Sequence, residues 1–193
     1  MDLLDLRVRE FLQEVASADR APASGSVAAF VTAAAAGLLA KVARASKGDW
    51  AGAGGIAAQA ESLRERVAPI AQLDADEYEA ALRARAEAGE TTGERRDFAL
   101  GRAYAAAAEP PLRIAEAATD VALLSLDVVQ NGEPSLRVDA AAAGMLAAAA
   151  ARAAAELVAV NLTASAADER VLRARRLAEE AARAADEAFA GST

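Results

Sequence analysis

An acidic segment in the first half of the chain contains carboxyl groups that could act in proton transfer. It comprises five neighbouring residues, Asp74, Asp76, Glu77, Tyr78 and Glu79. Asp74 and Tyr78 are four residues apart and therefore share one face of a predicted helix. A carboxylate beside a phenol in a partly buried groove could position or activate a water molecule. The alternative is an acidic helix face that is simply solvated.

The segment Ser24-Gly25-Ser26 leads directly into a long apolar stretch. The first N–H groups of a helix have no partner within the helix, and the helix dipole makes that end positive. The segment could therefore hold an anion or the polar edge of a ligand. The alternative is a plain N-cap, in which Ser24 or Ser26 accepts a hydrogen bond from the first turn.

Two further polar residues stand at the margins of apolar sequence. Asp139 precedes a twelve-residue apolar run, and Asn161 lies within Leu157-Val158-Ala159-Val160-Asn161-Leu162. A charge at the edge of an apolar face must be paired, exposed or useful, and a buried amide needs a hydrogen-bond partner. Both residues are candidates for a site. The alternatives are a first-turn carboxylate for Asp139 and a structural bond between helices for Asn161.

Lys41 and Lys47 are the two lysines of the chain. Lys41 interrupts an otherwise apolar helix, so it either extends to solvent or faces a groove. A lysine in a groove could bind a carboxylate or change the pKa of a nearby acid. The alternative for either lysine is solvated surface.

Composition excludes several classes of chemistry. The chain has no Cys and no His, which excludes disulfides, a thiol nucleophile and a serine–histidine triad. The net charge of -8 argues against a nucleic-acid partner and against an anionic membrane surface. The absence of His also removes the commonest metal ligand, and no metal site is expected.

The elements that must position these residues are helices. Alanine, the best helix former, occupies 60 of the 193 residues. Hydrophobic spacing predicts helices at about 3–16, 26–46, 56–86, 94–109, 111–129, 135–165 and 168–189, with Pro69 kinking or splitting the third. The predicted fold is an all-α, compact up-and-down bundle with a buried Ala-rich central helix, formed by one domain over residues 1–193.

Location is predicted from the start of the chain and from its apolar runs. Met1-Asp2-Leu3-Leu4-Asp5 is acidic where a signal peptide is basic. The runs Val27 to Ala40 and Ala140 to Ala151 are shorter than the roughly 20 residues that a bilayer span needs. We therefore expect a cytoplasmic protein with no membrane partner.

Taken in order, several segments resemble the formiminotransferase-cyclodeaminase C-terminal family. Phe11 to Ser17, followed by Ala21-Pro22-Ala23-Ser24-Gly25-Ser26, resembles its opening helix and Gly-rich loop. Leu73 to Tyr78 is similar to its Asp-x-x-x-Phe/Tyr element. Ala108-Glu109-Pro110-Pro111-Leu112 is similar to its Ala-x-x-Pro-Leu joint, and Asn131 to Asp139 with Asn161-Leu162 is similar to its C-terminal half. The resemblance spans about residues 5–175.

The resemblance implies an all-α homodimer that acts on a one-carbon folate. Two activities are known in the family, methenyltetrahydrofolate cyclohydrolase and formimidoyltetrahydrofolate cyclodeaminase, and short freestanding members are often the first. Water would add to the methenyl amidinium carbon, and no cofactor other than the folate substrate is required. We expect the cyclohydrolase. The alternatives are the cyclodeaminase and a diverged, non-catalytic binding or assembly protein of the same fold.

The resemblance also assigns roles to residues. Asp74 and Asp139 are the candidate catalytic carboxylates, with Asp74 as base or cation stabiliser. Asp139 and Asn161 would line the same cleft and hold the pterin or the water. The family's Gly-Lys pair appears here as Lys47-Gly48. The candidate substrate-binding residues are Ser24, Gly25, Ser26, Lys47, Tyr78 and Asn161.

Overall fold

The computed structural model describes residues 2–19, 21–46, 48, 50–90, 93–162 and 167–192, and within these ranges every regular element is helical. Three short 3₁₀ turns cover Leu3–Asp5, Ala88–Glu90 and Pro134–Leu136. The eight α-helices of the described residues are α1 (Val8–Val15), α2 (Ser24–Ala45), α3 (Ala53–Val67), α4 (Ile70–Glu87), α5 (Glu94–Ala107), α6 (Glu109–Asn131), α7 (Arg137–Asn161) and α8 (Glu169–Ser192). The predicted all-α bundle is confirmed.

The helix boundaries follow from proline and glycine signals in the sequence. Pro69 separates α3 from α4, as predicted, because its ring and missing N–H interrupt a continuous helix. Pro110 and Pro111 lie in the first turn of α6, where the missing N–H groups cost little. The predicted first helix is wrong in extent, since a 3₁₀ turn at Leu3–Asp5 precedes a short α1.

The centre of the bundle is formed by α2, α6 and α7, which pack against one another, and α8 packs against α6 and α7. Small residues allow these helices to approach closely. A Cβ atom on Gly144 of α7 would overlap the hydroxyl oxygen of Ser125 on α6. Ser125 satisfies that buried hydroxyl by donating to the carbonyl of Ala122. The abundance of alanine therefore serves close packing as well as helix propensity.

The Ala-rich α2 is buried along most of its length, as predicted. Leu39, Val42 and several alanines of α2 are fully buried between α3, α4, α6 and α7. α4 crosses α2 and also packs against α5. This arrangement carries Asp74 of α4 to the first turn of α2.

α1 differs from the other helices because none of its residues is buried. The Phe11 ring packs edge-on against Phe30 of α2, with ring centroids 4.5 Å apart. Val8, Leu12 and Val15 remain exposed on the same helix. α1 is thus a strongly amphipathic helix whose apolar face is left largely open.

Two helical segments, Ser24–Ala45 and Pro134–Asn161, are long and apolar enough to cross a membrane by length and composition. Each helix is longer than the apolar run within it, Val27 to Ala40 or Ala140 to Ala151, because the residues that flank the run are also helical. Their most apolar windows are 61% and 50% buried within the protein, and core helices of compact proteins meet the same criterion.

Candidate functional site

The first turn of α2 lies against the carboxyl group of Asp74. The N-cap residue, Ala23, has an extended backbone and provides no side-chain hydrogen bond to this turn. A Cβ atom on Gly25 would overlap the carboxylate of Asp74. The close approach therefore requires glycine at position 25, and Asp74 of α4 takes the place that a capping side chain usually fills.

Ser26 links the same turn of α2 to α4. Its side chain is fully buried, and its hydroxyl donates a 2.8 Å hydrogen bond to the carbonyl oxygen of Ala71. Ala71 lies one turn before Asp74 on α4. Because Ser26 has no exposed surface, the predicted direct contact with a substrate is not accessible in this conformation.

Burial raises the pKa of the Asp74 carboxyl to about 6. The residue is 7% exposed, and loss of hydration is the largest cause of the shift. The backbone N–H and the hydroxyl of Ser26 lower the pKa by smaller amounts. A carboxyl with this pKa exchanges a proton close to neutral pH, which is the property required of a general base or acid.

Two other predicted site residues, Ser24 of α2 and Tyr78 of α4, are exposed to solvent. Ser24 is exposed and lines an apolar groove of about 570 Å³ between α2 and α7. Tyr78 is 37% exposed, one helical turn after Asp74. The structure therefore brings Ser24, Gly25 and Ser26 together with Asp74, and Tyr78 lies one turn away along α4.

Asp139 lies at the opposite end of α2. It accepts a 2.8 Å hydrogen bond from the ammonium group of Lys41, and the two side chains are 41% and 58% exposed. At about 1.5 Å per residue, Gly25 and Lys41 are about 24 Å apart along α2. Within one chain, Asp139 is therefore not part of the arrangement around Asp74, contrary to the expected shared cleft.

Asn161 is the last residue of α7, and its amide donates a 2.8 Å hydrogen bond to the carbonyl oxygen of Ala107 at the end of α5. This bond is the structural link between helices that the sequence analysis left open. Asp139 and Asn161 lie about 33 Å apart along α7. The two residues cannot contact one small ligand within a single chain.

The basic residues near the end of α2 have acidic partners where they are described. Arg44 of α2 and Arg64 of α3 both pair with Glu61, and their hydrogen bonds lower the pKa of that carboxyl. Lys41 pairs with Asp139. The predicted binding residue Lys47 lies outside the described residues.

Gly25 was predicted to contact a ligand, whereas in the structure its backbone packs against the Asp74 carboxylate. The sequence signal for this contact was a glycine in the first turn of a buried helix, but the residue it contacts, Asp74, comes from a distant segment.

In the part of the chain that the structure describes, no group of three or more Asp or Glu side chains is arranged to hold a metal ion.

These features define an all-helical bundle with a buried, titratable carboxylate at the start of its central helix. The chain belongs to the formiminotransferase-cyclodeaminase family, because the sequence model of that family matches residues 7–183. Among solved structures, a formiminotetrahydrofolate cyclodeaminase from Thermotoga maritima has the same fold, with a TM-score of 0.81 and 21% sequence identity. The match covers 98% of this chain and 95% of that one. A comparison with curated proteins finds no significant match.

Proposed function

We propose that this protein is a one-carbon folate enzyme that adds water to the methenyl carbon of methenyltetrahydrofolate. The observation that carries the proposal is the buried Asp74 carboxyl with a pKa of about 6. At pH 7 such a group is mostly ionised, so it can accept a proton from water. Membership of the family provides the substrate class.

The reaction needs a base and a negative charge near the substrate, and Asp74 offers both. The methenyl carbon belongs to a cationic amidinium, which a nearby carboxylate stabilises. Water forms a C–O bond to this carbon while one of its protons passes to Asp74. The carbon–nitrogen bond of the ring then breaks, the ring nitrogen is protonated, the hydroxyl loses its proton, and a formyl group remains. The net products are the formyl folate and one proton.

Tyr78 and Ser24 are proposed to meet the substrate at the exposed side of the site. Tyr78 presents a phenol one turn from Asp74, and Ser24 lines the apolar groove. Gly25 packs against the Asp74 carboxyl, and Ser26 is hydrogen-bonded to Ala71, one turn before Asp74 on α4. Substrate contacts by Asn161 and Lys47, and a catalytic role for Asp139, remain predictions from the family resemblance.

Loss of methenyltetrahydrofolate absorbance with purified protein tests this proposal. We expect hydrolysis faster than the spontaneous rate, with at least 100-fold less enhancement in Asp74→Asn, as is typical when a general base is removed. Asp127→Asn, an exposed carboxylate on α6, is the matched control and should retain full activity. Enhancement that survives in Asp74→Asn would contradict the role of Asp74.

The second candidate is formimidoyltetrahydrofolate cyclodeaminase. The similarity in fold to a formiminotetrahydrofolate cyclodeaminase supports this alternative. In that reaction a folate nitrogen closes the ring and ammonia leaves, so the protonated form of Asp74 would serve as the acid. Incubation with formimidoyltetrahydrofolate separates the two reactions, because cyclodeamination releases ammonia and forms methenyltetrahydrofolate, whereas hydrolysis consumes it.

We also propose that the protein is a homodimer that uses the face formed by α1, α2 and α7. Apolar side chains are exposed along this face on two of these helices: Val8, Leu12, Val15, Val138, Met145, Leu146 and Val160. The apolar groove lies within the same face, between α2 and α7. Exposed apolar side chains in this number are typical of an interface rather than of a monomer.

Light scattering after size exclusion tests the dimer. We expect twice the 19.6 kDa chain mass for the unmodified protein and the monomer mass for Met145→Glu at micromolar concentration. Phe98→Glu is the control, since Phe98 is also apolar and even more exposed than Met145 but lies on α5. A monomeric unmodified protein would contradict the proposed dimer. The charge of -8 supports the further proposal that the protein has no nucleic-acid or anionic membrane partner. A cytoplasmic location stays a prediction from the sequence.

A further inference from the structure

Two grooves run along the surface formed by α2, α7 and α8. α7 is the middle helix, since α2 and α8 each pack against it, and α6 packs behind all three. The first groove, between α2 and α7, is the apolar groove of about 570 Å³ that Ser24 lines. The second, between α7 and α8, has a volume of about 540 Å³. We call the second groove the charged groove, for the side chains described below.

Ala153 of α7 lines both grooves. Its side chain is a single methyl group, so the ridge of α7 between the two grooves is low at this position. Neighbouring helices pack about 8–10 Å apart, so the path from α2 across Ala153 to α8 spans about 16–20 Å. One elongated molecule can therefore occupy both grooves at once.

The charged groove differs from the apolar groove in its side chains. Its four charged residues, all exposed, are Arg152, Glu156, Arg175 and Glu179. Among the residues that the structure describes, neither Arg152 nor Arg175 has a partner in an ion pair or a hydrogen bond. Arg170 and Arg173 of the same α8, by contrast, are paired with acidic side chains. A guanidinium without a carboxylate partner is available to bind the carboxylate of a ligand.

The register of α7 and α8 places the two arginines near the middle of the charged groove. The end of α7 packs with the start of α8, so the helices are antiparallel, and Gly144 of α7 faces Ala185 of α8. Counted from this contact, Arg152 and Arg175 lie within about 3 Å of the same level, on opposite walls. The two glutamates lie one toward each end. A carboxylate is therefore favoured only in the middle of the groove, between the arginines.

We infer that Arg152 and Arg175 bind the glutamate tail of the substrate whose reacting carbon lies at Asp74. A folate has its reactive ring at one end, a benzoyl ring in the middle and a glutamate at the other end. These three parts match, in order, the Asp74 turn, the apolar groove and the charged groove. The inference rests on the proposed function for the identity of the substrate. Arg175 lies on α8, outside the proposed dimer face, so the dimer leaves this wall of the groove open.

A comparison of methenyltetrahydrofolate with methenyltetrahydropteroate, which lacks the glutamate, tests the inference. We expect kcat/KM of the unmodified protein to be about tenfold higher for the folate, as is typical of hydrogen bonds to a charged group, with the difference in KM. Arg175→Met should abolish this preference. Arg176→Met is the matched control and should retain it, because Arg176 is also exposed but lines a different groove. A preference that survives in Arg175→Met, or that the unmodified protein lacks, would overturn the inference.

Ala153→Leu tests the path between the grooves without removing a charge. The larger side chain raises the ridge of α7 where the substrate must cross it, and the position is exposed, so the fold should tolerate the change. We expect Ala153→Leu to lose most of the preference for the folate. An unchanged preference would contradict a substrate that crosses α7 at this residue.

Calorimetry separates this inference from the proposed function, because it needs no turnover. The probes are 5-formyltetrahydrofolate and 5-formyltetrahydropteroate. We expect Arg175→Met to increase the Kd of the first about tenfold and to leave the Kd of the second unchanged. This pattern in a protein that does not hydrolyse methenyltetrahydrofolate would refute the proposed function and retain the inference. Hydrolysis that depends on Asp74, with equal binding of the two probes, would retain the function and refute the inference.

Discussion

The two ends of α2 each meet a carboxylate from a neighbouring helix, and the two carboxylates are in opposite environments. At the start of α2, Asp74 of α4 is buried, its pKa is raised to about 6, and its direct partner is the neutral Ser26. At the other end, Asp139 of α7 is partly exposed and paired with Lys41. An exposed ion pair contributes about 0–1 kcal/mol to stability, whereas a buried carboxylate without a cation costs stability.

This difference places the larger electrostatic cost at Asp74, the residue to which the catalytic role is proposed. Asp139 has what an acidic side chain needs for a purely structural role, a cation and solvent. Asp74 has a positive helix end and the N–H of Ser26 but no cation among the residues that the structure describes, and its burial favours the uncharged form. The comparison depends on whether the ionised Asp74 stabilises α2 as a cap or destabilises the protein. Stability measurements decide this directly.

The largest expected effect on stability belongs to Asp74→Asn. A pKa of about 6 in the folded protein against 3.8 for an unperturbed Asp means that the folded state binds more protons between about pH 4 and 6. The free energy of unfolding therefore falls as pH rises through this range, by up to about 3 kcal/mol, and is flat above it. Asp74→Asn should remove this pH dependence and be more stable than the unmodified protein at pH 7. Urea unfolding at several pH values measures both.

A less stable Asp74→Asn at pH 7 would show that the carboxylate is chiefly a structural cap of α2. Asp127→Asn, on an exposed part of α6, provides the control for removing a negative charge.

The next largest effect is expected for Gly25→Ala. The new Cβ would overlap the Asp74 carboxyl, so either the acid or the first turn of α2 must move. We expect a loss of about 1–3 kcal/mol in unfolding free energy, as is typical of overpacked sites, together with loss of activity. Gly37→Ala on the same helix is the matched control, because its nearest outside atom would be 3.7 Å away, at Arg64. It should gain about 0.5–1 kcal/mol from helix propensity. Equal effects of the two substitutions would refute the close approach at Gly25.

The smallest effect is expected at the other end of α2. Lys41→Met and Asp139→Asn each break the exposed ion pair and should change the unfolding free energy by less than about 1 kcal/mol. High salt should reduce even this difference, because exposed charges are screened. A change above about 2 kcal/mol in thermal or urea unfolding would show that the two ends of α2 are more alike than the structure indicates.

Most of the helices were predicted correctly because the residues that end a helix act locally. Pro69 and the turn from Asn131 to Pro134 interrupt helices whatever surrounds them, and the alanine content of α2 and α7 predicts close packing. The open apolar face of α1 was not predicted, because amphipathic spacing does not reveal whether a partner surface exists within the chain.

The candidate site was predicted only in part, and the reason is its dependence on contacts between distant segments. Asp74 and Ser24-Gly25-Ser26 were each recognised from local features, but their meeting depends on how α4 crosses α2. The pairing of Asp139 with Lys41 and the bond from Asn161 to Ala107 join residues far apart in sequence. No local pattern distinguishes such contacts from a shared ligand site.

The pH dependence of methenyltetrahydrofolate hydrolysis tests the central claim most directly. With the spontaneous rate subtracted, we expect kcat/KM to rise with pH through an apparent pKa near 6 and then level off, because the ionised Asp74 is the active form. Asp74→Asn should lack this rise, and Asp127→Asn should retain it. A rate enhancement that is independent of pH and shared by Asp74→Asn, or no enhancement at any pH, would contradict the account.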